Sequence, residues 1–309
     1  MEFNISPIDN RYRSISNTLS YYVSDYGINK IRYEVELKYL EFILNLLFRH
    51  DLDIDYTFTL EDFKMIKDIE KTTNHDIKAL EYFIKDKLKN NNIIDNKYLE
   101  FVHFGLTSQD INSMTNTISL KESINNVILP FLNSIVLILE DKANLWKDVI
   151  MISKTHGQSA TTTSMGKEFK VYISRLKTQI NQLNKYHYSS KFGGAVGNLN
   201  AHYFCYPDIH WDKEFNTLLN EEFNIKRNKY TTQIDHYDNL CEIFDILRRI
   251  NMILLDFNQD IWLYISQDYF KLKMIKGEVG SSTMPHKINP INFENSEGNI
   301  YLANSLLNM

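Results

Sequence analysis

The sequence DNLCEIFDILRRINMILLDFNQDIWLYISQDYF at residues 238–270 decides the fold class. It contains neither glycine nor proline, and its apolar residues recur at spacings of three and four: Leu240, Ile243, Leu247, Ile250, Leu254, Phe257, Ile261 and Tyr264. This period predicts a single helix, roughly 50 Å long. A helix of this length needs apolar partners along its whole length, and a helical bundle provides them.

The rest of the chain shows the same periodicity in shorter stretches. Glycine (10) and proline (5) are scarce, which favours long helices over sheets with many turns. Helical periodicity is present at residues 28–50, 60–70, 72–88, 113–128, 131–149 and 167–188. We therefore predict an all-α protein with an N-terminal helical domain at residues 1–100 and a central long-helix bundle at residues 101–309. The polar stretch 89–97 is the predicted linker.

Composition narrows the class of protein. The 309 residues are 43% hydrophobic and 24% charged, as is usual for a soluble globular protein. A net charge of −5 argues against a general nucleic-acid-binding surface. The only cysteines, Cys205 and Cys241, share no short motif and indicate reduced thiols. The N-terminal sequence MEFNISP does not resemble a signal peptide, and no apolar run is long enough for a membrane span. We therefore predict a cytoplasmic protein.

A loop with many reactive groups follows the long helix. Residues 280–290 read GSSTMPHKINP, and their glycine and prolines predict a loop. Two adjacent hydroxyl groups, an imidazole, an ammonium group and a carboxamide occur within it. Because loops on a rigid scaffold often carry functional sites, this loop is the first candidate for an active site.

The pattern Ser281-Ser282-x-Met284-Pro285-x-Lys287-x-Asn289-Pro290 resembles the signature loop of the fumarase/aspartase superfamily of lyases. The continuation INFENSEGN at residues 291–299 is similar to the adenylosuccinate lyase branch of that superfamily. The resemblance extends from Ser6 to the last residue. It implies a small-molecule nucleotide substrate, no metal or organic cofactor, and a homotetramer whose active sites draw residues from three subunits. It implies no nucleic-acid or membrane partner.

Three polar clusters lie upstream, each at the start of a predicted helix or on a terminal arm. Arg11-Tyr12 could belong to a solvated arm or could bind a phosphate. Asn74-His75-Asp76 and Thr107-Ser108 could simply cap the helices that follow, although a helix N-terminus also favours anions. The resemblance implies that all three clusters contact the substrate.

Two further polar stretches lie between the helices. Lys154–Thr161 has no periodicity and includes His156, so we predict a loop or a break between helices. A single loop histidine is more often structural than catalytic, but the resemblance places the catalytic histidine at His156. It also places a substrate-binding glutamine at Gln233, in an otherwise ordinary loop ahead of the long helix.

These residues suit an elimination reaction. A base must remove a weakly acidic C–H proton next to a carboxylate, and an acid must protonate the leaving nitrogen. The resemblance assigns the base to Ser281 and the acid to His156. Ser282, Lys287 and Asn289 would then hold the dicarboxylate part of the substrate. The remainder of the substrate would be held by Arg11, Tyr12, Asn74, His75, Asp76, Thr107, Ser108, Gln233 and Asn295.

Other interpretations remain open. The substrate could be that of another superfamily member such as argininosuccinate lyase. Superfamily members continue beyond the position that matches Met309 into a C-terminal helical domain, so we expect this chain to lack that domain. A non-catalytic, lyase-like assembly protein is therefore a third possibility. The glycines at 193–197 do not match a dinucleotide-binding motif, and His202, Cys205 and His210 match no zinc template.

Overall fold

The structure, a computed structural model, describes residues 9–52, 54–273, 284 and 287–309. Its α-helices are α1 (Asp9–Val23), α2 (Asp25–Phe48), α3 (Leu60–Thr73), α4 (Asp76–Asn90), α5 (Ser108–Ser123), α6 (Leu129–Leu145), α7 (Met165–Asn184), α8 (Asn200–Cys205), α9 (Trp211–Phe223), α10 (Asp238–Ser266) and α11 (Ile291–Leu307). Its short strands are β1 (Ile150–Thr155), β2 (Gln158–Ser164), β3 (Ser189–Ser190) and β4 (Lys226–Arg227). The predicted all-α class is confirmed.

Contacts divide the chain into two compact units. Unit 1 comprises Met1–Pro130 and His187–Tyr237, and unit 2 comprises Phe131–Tyr186 and Asp238–Met309. Both units are therefore built from two separate stretches of sequence. The domain boundary predicted near residue 100 stays a prediction.

The core of unit 1 forms around α2. Apolar residues recur on α2 at spacings of three and four, and Leu40 and Leu44 are completely buried. Helices α3 and α4 contribute side chains such as Ile66 and Leu80 to the same cluster, and both of these residues are completely buried. Burying a side chain of this size stabilises the fold by about 1.5–3 kcal/mol. This packing fixes the ends of α3 and α4, where predicted site residues lie.

The core of unit 2 forms along α10. Its inward-facing residues include Ile243, Ile250 and Ile261, all of them buried. The helix was predicted to run to residue 270, but it ends at Ser266. Asp268 adopts a left-handed conformation with φ of 61°, which turns the chain away after the helix. The sequence prediction missed this end because no glycine or proline marks it.

A single helical run joins α5 to α6, which corrects the break predicted at Pro130. The π-helical turn Ile124–Ile128 connects the two helices, and the N–H of Leu129 donates to the carbonyl of Ile124. Pro130 therefore lies inside a continuous run, where it has no N–H to donate, and the π-helical turn just before it locally replaces the regular α-helical hydrogen bonds. By length and composition the run Ser108–Leu145 could cross a membrane, contrary to the expectation from sequence. A core helix of a soluble protein meets the same criterion.

Candidate active site

Two of the predicted site clusters meet in unit 1. Asn74 ends α3 in a left-handed conformation, and His75 then caps α4 by accepting a hydrogen bond from the N–H of Lys78 at its Nδ1 (3.2 Å). The other ring nitrogen of His75, Nε2, lies 3.3 Å from the Oγ of Ser108 at the start of α5. One histidine therefore caps a helix and contacts the second predicted cluster, so the capping and site interpretations are compatible.

Arg32 on α2, which is not among the predicted site residues, joins this group. Its Nη2 donates to Asp76 Oδ2 (2.8 Å) and to Asn112 Oδ1 (2.7 Å). Its Nε is buried and has no hydrogen-bond partner among the described residues. In the sequence Arg32 looks like one of the charged residues on the solvent side of an amphipathic helix, so no local signal distinguishes it.

The charge of Arg32 acts on Asp76. Partial burial alone would raise the pKa of the Asp76 carboxyl. The Arg32 guanidinium and the N–H of Ile77 outweigh burial and hold that pKa below its ordinary value. The first turn of α4 therefore carries a carboxylate that stays ionised, beside an imidazole and a guanidinium. Such a group can orient and bind polar parts of a ligand.

Thr107 and Ser108 lie where α5 begins, as predicted. Thr107 is the N-cap residue, and its N–H donates to Asp110 Oδ2 (2.8 Å). Both side chains are half-buried. Gln233 is exposed in the loop ahead of α10 and belongs to the same unit. Arg11 and Tyr12 lie in the first turn of α1, where Tyr12 is half-buried and the side chain of Arg11 lies outside the described residues.

His156 lies at the tip of a β-hairpin in unit 2, not in a loop or a helix break as predicted. Strands β1 and β2 pair antiparallel, and Thr155 pairs with Gln158 across the tip. His156 and Gly157 have φ of 54° and 73°, the positive values that a tight two-residue turn requires. The β-branched residues on either side of this His-Gly pair are the signal that could have predicted a hairpin.

Two side chains tie this hairpin to the end of α10. Lys154 Nζ donates to Gln267 Oε1 (2.9 Å), and the hydroxyl of Tyr269 donates to the carbonyl of Ile152 (3.3 Å). The imidazole of His156 is exposed at the tip. The hairpin can thus present a proton donor on a supported backbone, because its strands pair with each other and β1 is tied to the residues that follow α10.

The signature loop is described only in part. Ser281 and Ser282 lie outside the described residues. The backbone N–H of Lys287 donates to the carbonyl of Met284 (3.0 Å), and the Lys287 side chain is exposed. Asn289 is half-buried just ahead of α11, and Asn295 is exposed on α11 itself. Lys287, Asn289, Asn295 and His156 all belong to unit 2.

Sequence comparison identifies close relatives. Residues 49–301 match a protein family described as Lyase. The chain is 48% identical to the adenylosuccinate lyase of Dictyostelium discoideum, in an alignment that covers 98% of this chain and 68% of the relative. It is 42% identical to the adenylosuccinate lyase of Escherichia coli K12, covering 98% of this chain and 69% of that enzyme. The chain therefore spans about two thirds of the length of these relatives.

Structure comparison supports the fold. A 3-carboxy-cis,cis-muconate lactonizing enzyme from Pseudomonas putida superposes with a TM-score of 0.73 at 20% identity, covering 98% of this chain and 67% of that one. A fumarate lyase from Mesorhizobium sp. BNC1 superposes with a TM-score of 0.71 at 16% identity, covering 94% and 64%. At these identities the likeness shows a shared fold and does not identify a shared substrate.

Proposed function

Because this chain belongs to the adenylosuccinate lyase family of lyases, we propose that it cleaves adenylosuccinate to AMP and fumarate. The observation that carries this proposal is the identity of 42–48% to two adenylosuccinate lyases over 98% of the chain. We propose that it also cleaves the succinylated aminoimidazole carboxamide ribonucleotide, which yields the carboxamide ribonucleotide and fumarate. The two reactions break the same kind of bond, between a nitrogen and a succinyl carbon.

In the proposed mechanism, Ser281 acts as the base and His156 as the acid. The base removes a proton from the succinyl carbon next to a carboxylate, and that C–H electron pair becomes the new C=C bond of fumarate. The C–N bond breaks, its electron pair stays on the nitrogen, and the imidazolium of His156 donates a proton there. The exposed position of His156 on a supported hairpin favours this role.

The proposed substrate contacts fall into two groups. Ser282, Lys287 and Asn289 would hold the dicarboxylate part, with Lys287 supplying the positive charge. The nucleotide part would be held by Arg11, Tyr12, Asn74, His75, Asp76, Thr107, Ser108, Gln233 and Asn295. The contact between His75 and Ser108 supports this assignment, because it joins two of the segments that would have to act on one ligand.

Fumarate release tests these roles. We expect His156→Ala and Ser281→Ala to lower kcat for adenylosuccinate by about a hundredfold to ten-thousandfold, as the loss of an acid or a base does. Matched controls are His187→Ala and Ser134→Ala, which change exposed residues of the same types and should keep the wild-type rate. Near-normal turnover by either site variant would remove that residue from the mechanism.

We also propose that the enzyme is a cytoplasmic homotetramer. Unit 2 carries large apolar side chains that are more than half exposed within a single chain, such as Leu137, Ile138 and Leu306. Leu137 and Ile138 are neighbours on α6, and exposed apolar side chains that form a contiguous patch are typical of a subunit interface. Cys205 and Cys241 are free thiols, which suits a reducing compartment. Sedimentation velocity would test the oligomeric state, since a monomer at assay concentration contradicts the tetramer, and cell fractionation would test the location.

A further inference from the structure

An ion pair with no solvent exposure lies in unit 1, outside the residues of the proposed mechanism. The Nζ of Lys191 donates to Asp110 Oδ1 (2.5 Å) and to the carbonyl of Gly194 (2.7 Å), and the side chains of Lys191 and Asp110 are 0% exposed. Removing two charges from water is costly, and well-packed apolar side chains often stabilise a core equally well. An ion pair at this position therefore calls for a role beyond packing.

The carboxylate of Asp110 joins two backbone segments. Its Oδ2 accepts hydrogen bonds from the N–H of Thr107 (2.8 Å) and from the N–H of Gly194 (3.1 Å). Its Oδ1 accepts from the N–H of Gly193 (2.7 Å), in addition to the lysine. One carboxylate thus holds the turn that leads into Ser108 against the glycine-rich segment 193–197. Four donors, three backbone N–H groups and one ammonium group, therefore converge on this single side chain.

The backbone of Lys191 also reaches the loop that carries Gln233. Its N–H donates to Asp235 Oδ2 (3.0 Å), and Ser113 Oγ donates to the same oxygen (2.7 Å). A few residues farther along, a Cβ on Gly197 would lie 2.1 Å from the carbonyl of Thr231, so only glycine fits there. The segment 191–197 therefore lies between the start of α5 and the loop 231–235, and contacts both.

We propose that Lys191 is a positioning residue: its side chain fixes the segment 191–197 through Asp110 and Gly194, and this segment holds Ser108 and Gln233 in one arrangement for the substrate. This inference rests on the proposed function, which assigns both residues to substrate binding. Lys191 neutralises Asp110, so that the carboxylate can organise the start of α5 without leaving a net negative charge there. A substrate with carboxylate and phosphate groups would be repelled by an unpaired buried carboxylate beneath the same turn.

The variant Lys191→Met keeps an unbranched side chain and removes the charge. We expect KM for adenylosuccinate and the Kd for AMP, measured by calorimetry, to rise together by about tenfold, the factor that corresponds to one moderate interaction. We expect kcat to change by less than about threefold, because the proposed acid and base are untouched. The double variant Lys191→Met/Asp110→Asn removes both charges, so we expect it to recover part of the lost affinity.

Lys87→Met is the matched control. Lys87 forms an ion pair with Asp62, and Asp62 accepts a hydrogen bond from the N–H of Thr59 at the start of α3. None of these residues belongs to the proposed site. KM and the Kd for AMP should stay at their wild-type values in this variant. If Lys191→Met lowers the melting temperature but leaves both constants unchanged, Lys191 is merely structural and the proposal is wrong.

A second comparison keeps the proposal testable if Lys191→Met does not fold. The double variant removes the ion pair without leaving a lone buried charge, which folds tolerate better. A Kd for AMP raised by about threefold in the double variant would support positioning, and a wild-type Kd would contradict it. If the wild-type chain binds AMP but releases no fumarate, the proposed function fails while the comparison of AMP affinities still tests Lys191.

Discussion

Helices α3 and α5 begin with the same motif, Thr-x-x-Asp, at residues 59–62 and 107–110. In both, the aspartate accepts a hydrogen bond from the threonine N–H, at 2.9 Å in α3 and 2.8 Å in α5. A lysine from a distant part of the chain donates to the other carboxylate oxygen, at 3.1 Å from Lys87 and 2.5 Å from Lys191. The two helix starts therefore have the same local chemistry.

The ion pairs at the two helix starts differ in how deeply they are buried and in the other segments that they contact. The side chains of Lys87 and Asp62 are 26% and 13% exposed, whereas those of Lys191 and Asp110 are completely buried. Asp110 also accepts hydrogen bonds from a glycine-rich segment. One capping motif can therefore serve a single helix at the surface or, when buried, join several segments around a candidate site.

The largest expected difference is in stability. Asp110→Ala leaves the buried ammonium of Lys191 without its partner, so we expect a loss of about 3–5 kcal/mol in the free energy of unfolding. Asp62→Ala removes a partly exposed pair and one cap contact, so we expect a loss of about 1 kcal/mol. Denaturant titration followed by far-ultraviolet circular dichroism measures both. Equal losses would show that burial does not distinguish the two helix starts.

Low pH should destabilise the fold through a buried histidine, His202, that packs next to the start of α5. Gly105, just ahead of α5, lies against the ring of His202, because a Cβ there would be 2.6 Å from the ring. His202 is completely buried. Its Nε2 is hydrogen-bonded to the hydroxyl of Tyr39, and its ring packs against Trp211. Burial lowers the pKa of His202 to about 4.

This shift gives a pH dependence with a defined sign. Between pH 6.5 and about 4 the unfolded chain binds a proton at His202 and the folded chain does not, so stability falls as the pH falls through this window. The full effect is about 3 kcal/mol. Burial also acts to lower the pKa of His103, but Glu36 outweighs it and raises that pKa, so its contribution is constant below pH 6.5 and is lost only at higher pH.

Unfolding titrations between pH 4 and pH 7 check this expectation. The variant His202→Phe cannot bind a proton, so we expect a lower stability at pH 7 but a shallower slope than in the wild type. His187→Phe changes an exposed histidine and should keep the wild-type slope. An unchanged slope in His202→Phe would rule out His202 as the source.

The smallest expected stability effects come from the two capping threonines, and their effects on KM distinguish a purely capping residue from one that also binds substrate. Thr59 Oγ accepts the N–H of Asp62 (3.1 Å), so Thr59→Ala should cost about 1 kcal/mol of stability and leave KM unchanged. Thr107→Ala should cost no more than that, but it should raise KM for adenylosuccinate. Thermal melts and steady-state kinetics of the two variants test this pair. A raised KM in Thr59→Ala, or an unchanged KM in Thr107→Ala, would contradict the difference between the helix starts.

Local pattern predicted most of the helices and several site positions. The period of apolar residues found α2, α4, α7 and most of α10, because burial of one helix face leaves a regular trace in the sequence. Capping residues correctly placed Asn74–Asp76 and Thr107–Ser108 at helix starts. These features depend on residues within one or two helical turns, and such short-range effects can be inferred from a single sequence.

Long-range partners could not be predicted in this way. Lys191 and Asp110 are 81 residues apart in sequence, and nothing near either residue shows that both are buried. The role of Arg32 could not be predicted for the same reason, since its partner Asn112 lies 80 residues away in the sequence. The π-helical turn at 124–128 and the hairpin at His156 were missed because a proline suggested a break and a histidine-glycine pair suggested a loop.

The most direct test of the proposed lyase activity is fumarate release by the wild-type chain. The purified chain would be assayed with adenylosuccinate and, in parallel, with argininosuccinate at the same concentration. We expect fumarate and AMP in equal amounts from adenylosuccinate and no fumarate from argininosuccinate. Fumarate from argininosuccinate alone, or from neither substrate, would contradict the proposed function.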